Sequence, residues 1–444
     1  MRSYPADLAA TVHEKLKKQA VNCPSVETLS RLFEVMYFAS LKTEEGERIQ
    51  FSVTYSDPEK PDPHAPPRIL AHRWKHIPLQ QRKLFTVRNV SKLAKAVDPW
   101  SSSLAVYPSA DGPLYIWGLI DQMVHFNTFL VRESDAGLDT PGLFQAVVQG
   151  PADITVYREY NFVARLNQAS IISRQKDVLG YGPVSRKVMR DVALFQRDVA
   201  KSAGVSLAQC LDCWDEEENR LGTLCRILVN IQRYRHGGAV LISSGTKDLN
   251  FKYAIKYDRL ARALKRLAVN QVRSNMSARL IHEDYLEEDE DSLPIEHYLD
   301  SAISEGDLRD AEAEVTGCVR FVSALSCVDG LIHLRPDFTV DGFGVEITVQ
   351  REIRHLFRAS TPQARPEGLK AANFNHYGTR HRSMMRFCQG HPDSVGFVVS
   401  QDGDIRAITK LNDKLVMWEN IMVQHFWDAH VRRMNKRFGL KPTA

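Results

Sequence analysis

Gly378-Thr379-Arg380-His381-Arg382-Ser383 sets two guanidinium groups, an imidazole and two hydroxyls directly behind a glycine, at the start of a predicted helix that runs through Cys388. Backbone N–H groups at a helix N-terminus and guanidinium forks both suit phosphates. About fifty residues earlier, Cys327-Val328-Asp329-Gly330-Leu331-Ile332 puts a carboxylate and a glycine between the end of a helix and an apolar strand. An Asp so placed can bind a divalent cation, and glycine lets a ligand approach the backbone closely. Taken singly, each segment has an ordinary explanation: Asp329 caps a turn, and Arg380 and Arg382 lie on a solvated helix face. Together they hold the residue types that a nucleoside-triphosphate site needs.

Around these segments the chain reads as an α/β alternation. A strand at 395–400 ends in the turn Gln401-Asp402-Gly403, and strand-like alternation resumes at 405–408. Upstream, after His236-Gly237-Gly238, residues 239–243 form a short apolar strand and 257–281 a basic amphipathic helix. Residues 308–326 form another helix, with Ala311, Val315, Val319 and Val322 on one face. The acidic run 283–291 reads as an exposed loop, without the glycine and alternate-ligand spacing of a calcium loop. Segment 335–377 reads as a basic solvated loop, the alternative being that Arg351, Arg354, His355, Arg358 and Arg365 help hold triphosphates.

The first part of the chain is patterned differently. Leu29, Leu32, Phe33, Met36 and Ala39 recur at helical spacing over 26–42. Over 48–55, Ile49, Phe51, Val53 and Tyr55 alternate with Gln50, Ser52 and Thr54, the pattern of a strand with one polar face. A proline-rich loop follows at 57–67. Strands at 104–107 and 114–120 flank the turn Ser109-Ala110-Asp111-Gly112, and strands at 144–149 and 154–157 flank Gly150-Pro151. Two long helical stretches, 184–203 and 207–234, have few breakers. The expected organisation is therefore an α+β domain at 1–175, a helical connector at 176–234, an α/β domain with a mixed sheet and flanking helices at 235–420, and a C-terminal helical tail at 421–444.

Length and composition agree with this division. A chain of 444 residues exceeds what one core usually serves. Its 43% hydrophobic and 25% charged residues are ordinary for a globular protein, and no run approaches the roughly 18 apolar residues of a membrane span. The N-terminus lacks the pattern of a secretory signal, and the seven cysteines are scattered, so a soluble cytoplasmic protein without disulfides is expected. Cys210 and Cys213 form a lone CxxC and read as ordinary helix thiols. A net charge of +4 is too small to argue for nucleic acid, and no reader motif accompanies the basic stretch 259–279 or the C-terminal Arg432-Arg433 and Lys436-Arg437.

The order Asp329-Gly330-Leu331, then 378–383 as GTRHRS, then Val398-Val399-Ser400-Gln401-Asp402-Gly403 resembles the diadenylate cyclase domain family. That family's pattern is DGA, GTRHRA or GTRHRS, and a VVSEE-type turn. His236-Gly237-Gly238 and 251–257 (FKYAIKY) resemble the branch in which the cyclase domain follows a sensor domain called DACNV. Tyr4-Pro5-Ala6-Asp7-Leu8 and Tyr115-Ile116-Trp117-Gly118 resemble that sensor.

The resemblance implies condensation of two ATP into cyclic di-AMP with release of pyrophosphate, by two copies facing each other. It implies that Asp329 holds Mg²⁺ or Mn²⁺ and helps activate the 3′-hydroxyl, with Asp402 as a further metal ligand. Arg380, His381 and Arg382 would act on the phosphates, with Gly330, Leu331, Gly378, Thr379, Ser383, Ser400 and Gln401 around the nucleotide. The N-terminal domain would bind an unknown signal. Leu331 stands where the family has alanine, and Gln401 and Asp402 stand where it has two glutamates. Gln401 supports an alternative, a non-catalytic nucleotide-binding module, whereas Asp329 beside an intact GTRHRS argues for turnover.

Overall fold

The computed structural model describes residues 3–19, 23–60, 74–109, 112–122, 142–158, 161–214, 216–287, 295–350, 352–353 and 355–423. The described residues fall into two units, one ending at Gln175 and the other beginning at Lys176. Both are mixed α/β structures.

In the first unit the helices Pro5–Lys17 and Val26–Ser40 bury Leu8, Val12, Leu16, Leu29, Leu32, Phe33 and Met36. Ser25 caps the second helix by accepting from the Thr28 amide at 3.1 Å. These apolar stripes share one core with Phe51, Val53, Phe144, Ala146, Val148 and Ile154 of an eight-stranded sheet. The strand order is Ser170–Ile172, Asn161–Asn167, Asp153–Arg158, Phe144–Gly150, Phe51–Tyr55, Ser102–Pro108, Leu114–Asp121, Lys75–Leu84. Only the Phe51–Tyr55 and Ser102–Pro108 pair is parallel. The polar face of Phe51–Tyr55 is buried like its apolar one. Ser52 and Thr54 are buried, with Thr54 Oγ1 2.7 Å from Ser103 Oγ and Gln122 Nε2 donating to Ser103 Oγ at 2.9 Å. The hydroxyls and amides satisfy one another, which is what permits their burial.

The second unit is built on a nine-stranded mixed sheet. Its order is Leu249–Tyr257, Val340–Ile347, Leu331–Leu334, Gly238–Ile242, Val395–Val399, Ile405–Leu411, Lys414–Trp418, Leu356–Ala359, Leu369–Ala372. Gly238–Ile242 runs parallel to Leu331–Leu334, and Leu356–Ala359 parallel to Lys414–Trp418; the other neighbours are antiparallel. Strand alternation makes two apolar faces. Val240, Ile242, Ile332, Phe397 and Ala407 pack with the helices Glu216–Tyr234, Arg259–Glu287 and Ile295–Ala324. Ala239, Leu241, Leu331, Val398 and Ile408 pack with Met384, Met385, Phe387 and Cys388 of the helix Thr379–Gly390. Each Val, Leu, Ile, Phe or Met among them contributes ~1.5–3 kcal/mol on full burial. Gly396 allows that helix to sit close, since a Cβ there would lie 2.3 Å from Met384 Cγ and Sδ.

Several boundaries differ from the sequence expectation. The stretch 176–234 supplies Val184, Leu224, Leu228 and Ile231 to the core of the second unit. It is broken into Pro183–Val188, Val192–Ala203, Leu207–Cys213 and Glu216–Tyr234, with Gly204 at φ +77° closing the second of these. Tyr257 ends a strand rather than starting a helix: it pairs with Val340, after a register shift beyond Ala254. The helix expected at 308–326 begins at Ile295, and the preceding one continues through Glu287, into the acidic run. Segment 335–377 is not a loop: three of the nine strands come from it. Arg351, Arg354, the loop residues 61–67, the turn residues Ala110-Asp111, residues 288–291 of the acidic run and 424–444 of the expected tail, with its basic residues, lie outside the described residues. Among the described residues no helix is long and apolar enough to cross a membrane.

Candidate functional site

Strand register brings the sequence segments to one end of the second sheet. Val240 pairs with Ile332 in parallel, which sets Gly238 level with Gly330. Gly238 pairs with Val399, and Val399 with Ile405. Asp329-Gly330, Gly237-Gly238 and Ser400-Gln401 therefore meet at the ends of three adjacent strands, each about 5 Å from the next. The helix Thr379–Gly390 reaches the same end. A Cβ built on Gly237 (φ +71°) would lie 2.7 Å from Arg380 Nη1, 3.0 Å from Val399 O and 3.4 Å from the Gln401 amide nitrogen. The Arg380 guanidinium thus lies over Gly237, and any side chain at 237 would displace it.

His381 is set by a residue that the sequence reading missed. Arg406 Nη1 donates to His381 Nε2 at 2.9 Å and to Ser400 Oγ at 3.1 Å, and the same guanidinium lies 3.5 Å from both Asp404 and Glu419. Burial, then the charges of Arg406 and Arg380, push the His381 pKa down to about 4, against the pull of Asp402. His381 is thus a neutral imidazole at pH 7, with its proton on Nδ1 and Nε2 accepting. It helps to shape the sheet end, where Arg380 brings positive charge. Arg382 is half-buried, and its Nε makes no hydrogen bond. Gly378 and Thr379 are exposed at the start of the helix, where Gly378 provides no side-chain cap, and Ser383 is half-buried one turn in.

The Asp329 end is more open. Asp329 is exposed, and with the closer Glu346, at 2.8 Å, it raises the Lys252 pKa. Gly330 serves the fold itself: at φ +123°, a Cβ would lie 2.4 to 2.8 Å from the backbone of Gly344 and Val345. Leu331 is buried and points into the core against the Thr379–Gly390 helix. Contrary to the expectation that it lines a nucleotide, its side chain fills the core, so the larger residue costs no space at the sheet end. Gln401 and Asp402 are both exposed on the turn.

Two further groupings had no sequence signal, because their partners are distant in the chain. His236 Nδ1 donates to Gly237 O at 2.7 Å, leaving Nε2 to accept from the exposed Cys327 thiol at 3.0 Å. Fully buried His333 has Nε2 2.9 Å from Ser243 Oγ and Nδ1 3.2 Å from Asp341 Oδ2, and burial lowers its pKa. Ser243 Oγ donates its proton to Gly245 O at 2.8 Å, so this set is structural and not a nucleophile facing its base.

Among the described residues no three His, Cys, Asp or Glu side chains cluster as a metal cage. Asp329 and Asp402 each present one exposed carboxylate. That donor set suits a hard cation that keeps its water and shares a substrate's phosphates.

A family model described as a probable sensor domain, DACNV, matches residues 18–121, within the first unit. No curated protein matches the chain. No solved structure matches it either.

Proposed function

We propose that the second unit binds ATP and, as two facing copies, condenses two ATP into cyclic di-AMP, under the control of the probable sensor domain in the first unit. The observation that carries this reading is the meeting of Asp329, Arg380 and Gln401 at one sheet end, where strand register joins the Asp329 and Gln401 segments and the helix start lays Arg380 over Gly237. DACNV domains accompany diadenylate cyclase domains, so the family match at 18–121 points the same way.

In this reading each 3′-hydroxyl gives up its proton with the help of Asp329, and its oxygen forms a bond to the α-phosphorus of the other nucleotide as the bond to the departing pyrophosphate breaks. Arg380 and Arg382 offset the charge that develops on the leaving group. Arg380 already lies over Gly237, at the sheet end where the phosphates would sit. His381, held neutral by burial and then by Arg406, orients rather than neutralises. Thr379 and Ser383 offer hydroxyls beside the open first-turn amides of the helix. Asp329 and Asp402 would hold Mg²⁺ or Mn²⁺, which would supply charge neutralisation of the triphosphate. Two copies are required because each nucleotide is nucleophile to the other.

Incubation of the full chain with ATP and Mg²⁺ or Mn²⁺, beside an Asp329→Asn variant, tests the reading by mass spectrometry. Cyclic di-AMP from the wild type alone supports it. ATP bound without turnover in either metal favours the second reading, a nucleotide-binding module without catalysis, for which Gln401 in place of a glutamate is the specific observation. If the chain binds no ATP, both fail.

A further inference from the structure

The opposite end of the same sheet opens onto a cavity of about 880 Å³. Its walls are the helix Pro183–Val188, the 363–369 segment, the loop at Pro392-Asp393 and the hairpin joining Ile405–Leu411 to Lys414–Trp418. Leu369, Leu411 and Val416 form an apolar floor. Five cations line it, Arg186, Lys187, Arg190, Lys410 and Lys414, against the two carboxylates Asp393 and Asp413.

The walls are fixed before any ligand arrives. Lys187 Nζ donates to Pro392 O, to Thr409 Oγ1 at 2.8 Å and to Lys410 O at 2.6 Å, tying helix, loop and strand together. This amine is half-buried, and desolvation pushes its pKa down. Arg190 donates to Asp393 O at 3.3 Å and to the Ser244 hydroxyl. Gly182, at φ +102°, packs so tightly on the far wall that a Cβ would lie 2.5 Å from Pro362 O. The remaining cations are held loosely. Arg186 is exposed, Lys410 lies 3.9 Å from a fully exposed Asp413, and Lys414 rests 5.3 Å from the Phe357 ring centroid.

Like charges gathered in a concave, partly apolar site repel one another, and an anion relieves that cost. The volume falls within the roughly 300–1,000 Å³ range of small-molecule sites. We propose that this cavity binds a small phosphorylated molecule carrying at least two phosphate-type charges, at a site separate from the one around Arg380. The strand Ile405–Leu411 links the two ends, and its seven residues span ~20 Å.

The test is calorimetric titration of the full chain with inorganic tripolyphosphate. Arg186→Glu combined with Lys414→Glu reverses two exposed charges without touching the tie made by Lys187. Arg262→Glu combined with Arg309→Glu makes the same charge change on helix surfaces elsewhere in the unit. All are examined with and without Arg380→Gln, so that binding around Arg380 is read separately. In the Arg380→Gln background, the cavity pair is expected to weaken binding at least tenfold and the control pair to leave it within twofold. The proposal is overturned if the cavity pair binds as tightly as Arg380→Gln alone, if the control pair weakens binding equally, or if that background binds no tripolyphosphate. An Arg380→Gln change that leaves stoichiometry and affinity as in the wild type counts against the reading of the Arg380 site, not against the cavity.

Discussion

Replacing Arg406 with glutamine removes the charge that faces His381 and leaves the imidazole buried. Burial is the larger cause of the low His381 pKa and Arg406 the next, so the variant's His381 should titrate part-way back from about 4 toward 6.5. The sign of the linked stability follows from the unfolded chain binding the proton more readily. A His with a depressed folded pKa stabilises the fold above pH 6.5, and that contribution is lost as pH falls from 6.5 to about 4. A depression of this size corresponds to about 3 kcal/mol, a large part of a typical domain's 5–15 kcal/mol. The variant should lose less stability over that window than the wild type. At pH 7 it should be less stable by about 1.5–3 kcal/mol, since the charged hydrogen bonds to His381 and Ser400 are gone. Proton NMR titration of the His381 ring in both proteins, with urea denaturation at pH 7 and pH 4.5, reads each quantity. A wild-type His381 titrating near 6.5, or one unmoved by the substitution, would refute the reasoning.

Gly396→Ala places a methyl 2.3 Å from Met384 Cγ and Sδ, and overpacking of this kind costs about 1–3 kcal/mol. Urea denaturation should show that loss, and Met384→Ala in the same chain should recover part of it; additive losses would mean that the two positions do not press on each other. Cys327 is the one exposed thiol of the seven, with His236 beside it to accept the proton. One equivalent of maleimide should therefore attach there first, by peptide mass spectrometry, and Cys327→Ser should abolish the fast phase; equally fast labelling of half-buried Cys23 or of any of the five buried cysteines would contradict this reading.

Local pattern carried much of the architecture. Helical spacing of Leu29, Leu32, Phe33 and Met36 announces Val26–Ser40, and the turn-forming residues between 108 and 114 announce an antiparallel pair of strands, because these signals need only neighbours in sequence. The same holds for the glycine-led helix start at Thr379 and the turn after Val399. Local pattern misled where burial is imposed from outside the segment. The polar alternation at Ser52 and Thr54 does not show their burial, which Ser103, Gln122 and Gln145 from other strands make possible. The 335–377 stretch looked like a loop because its short strands, such as Leu356–Ala359, are defined by pairing with Lys414–Trp418 rather than by their own composition.

By itself the sequence determined the residue types of the candidate site, Asp329, Arg380, His381, Arg382 and Gln401, and their attachment to a strand start, a helix start and a turn. The tertiary structure decided which of them meet, through the register of Gly238–Ile242 with both of its neighbours. It also decided that Leu331 faces the core, that burial and then Arg406 keep His381 neutral, and that five cations from separate segments share a cavity at the far end of the sheet. The reason is physical: register, burial and electrostatic coupling depend on distances between residues far apart in the chain, and those distances exist only once the chain has folded.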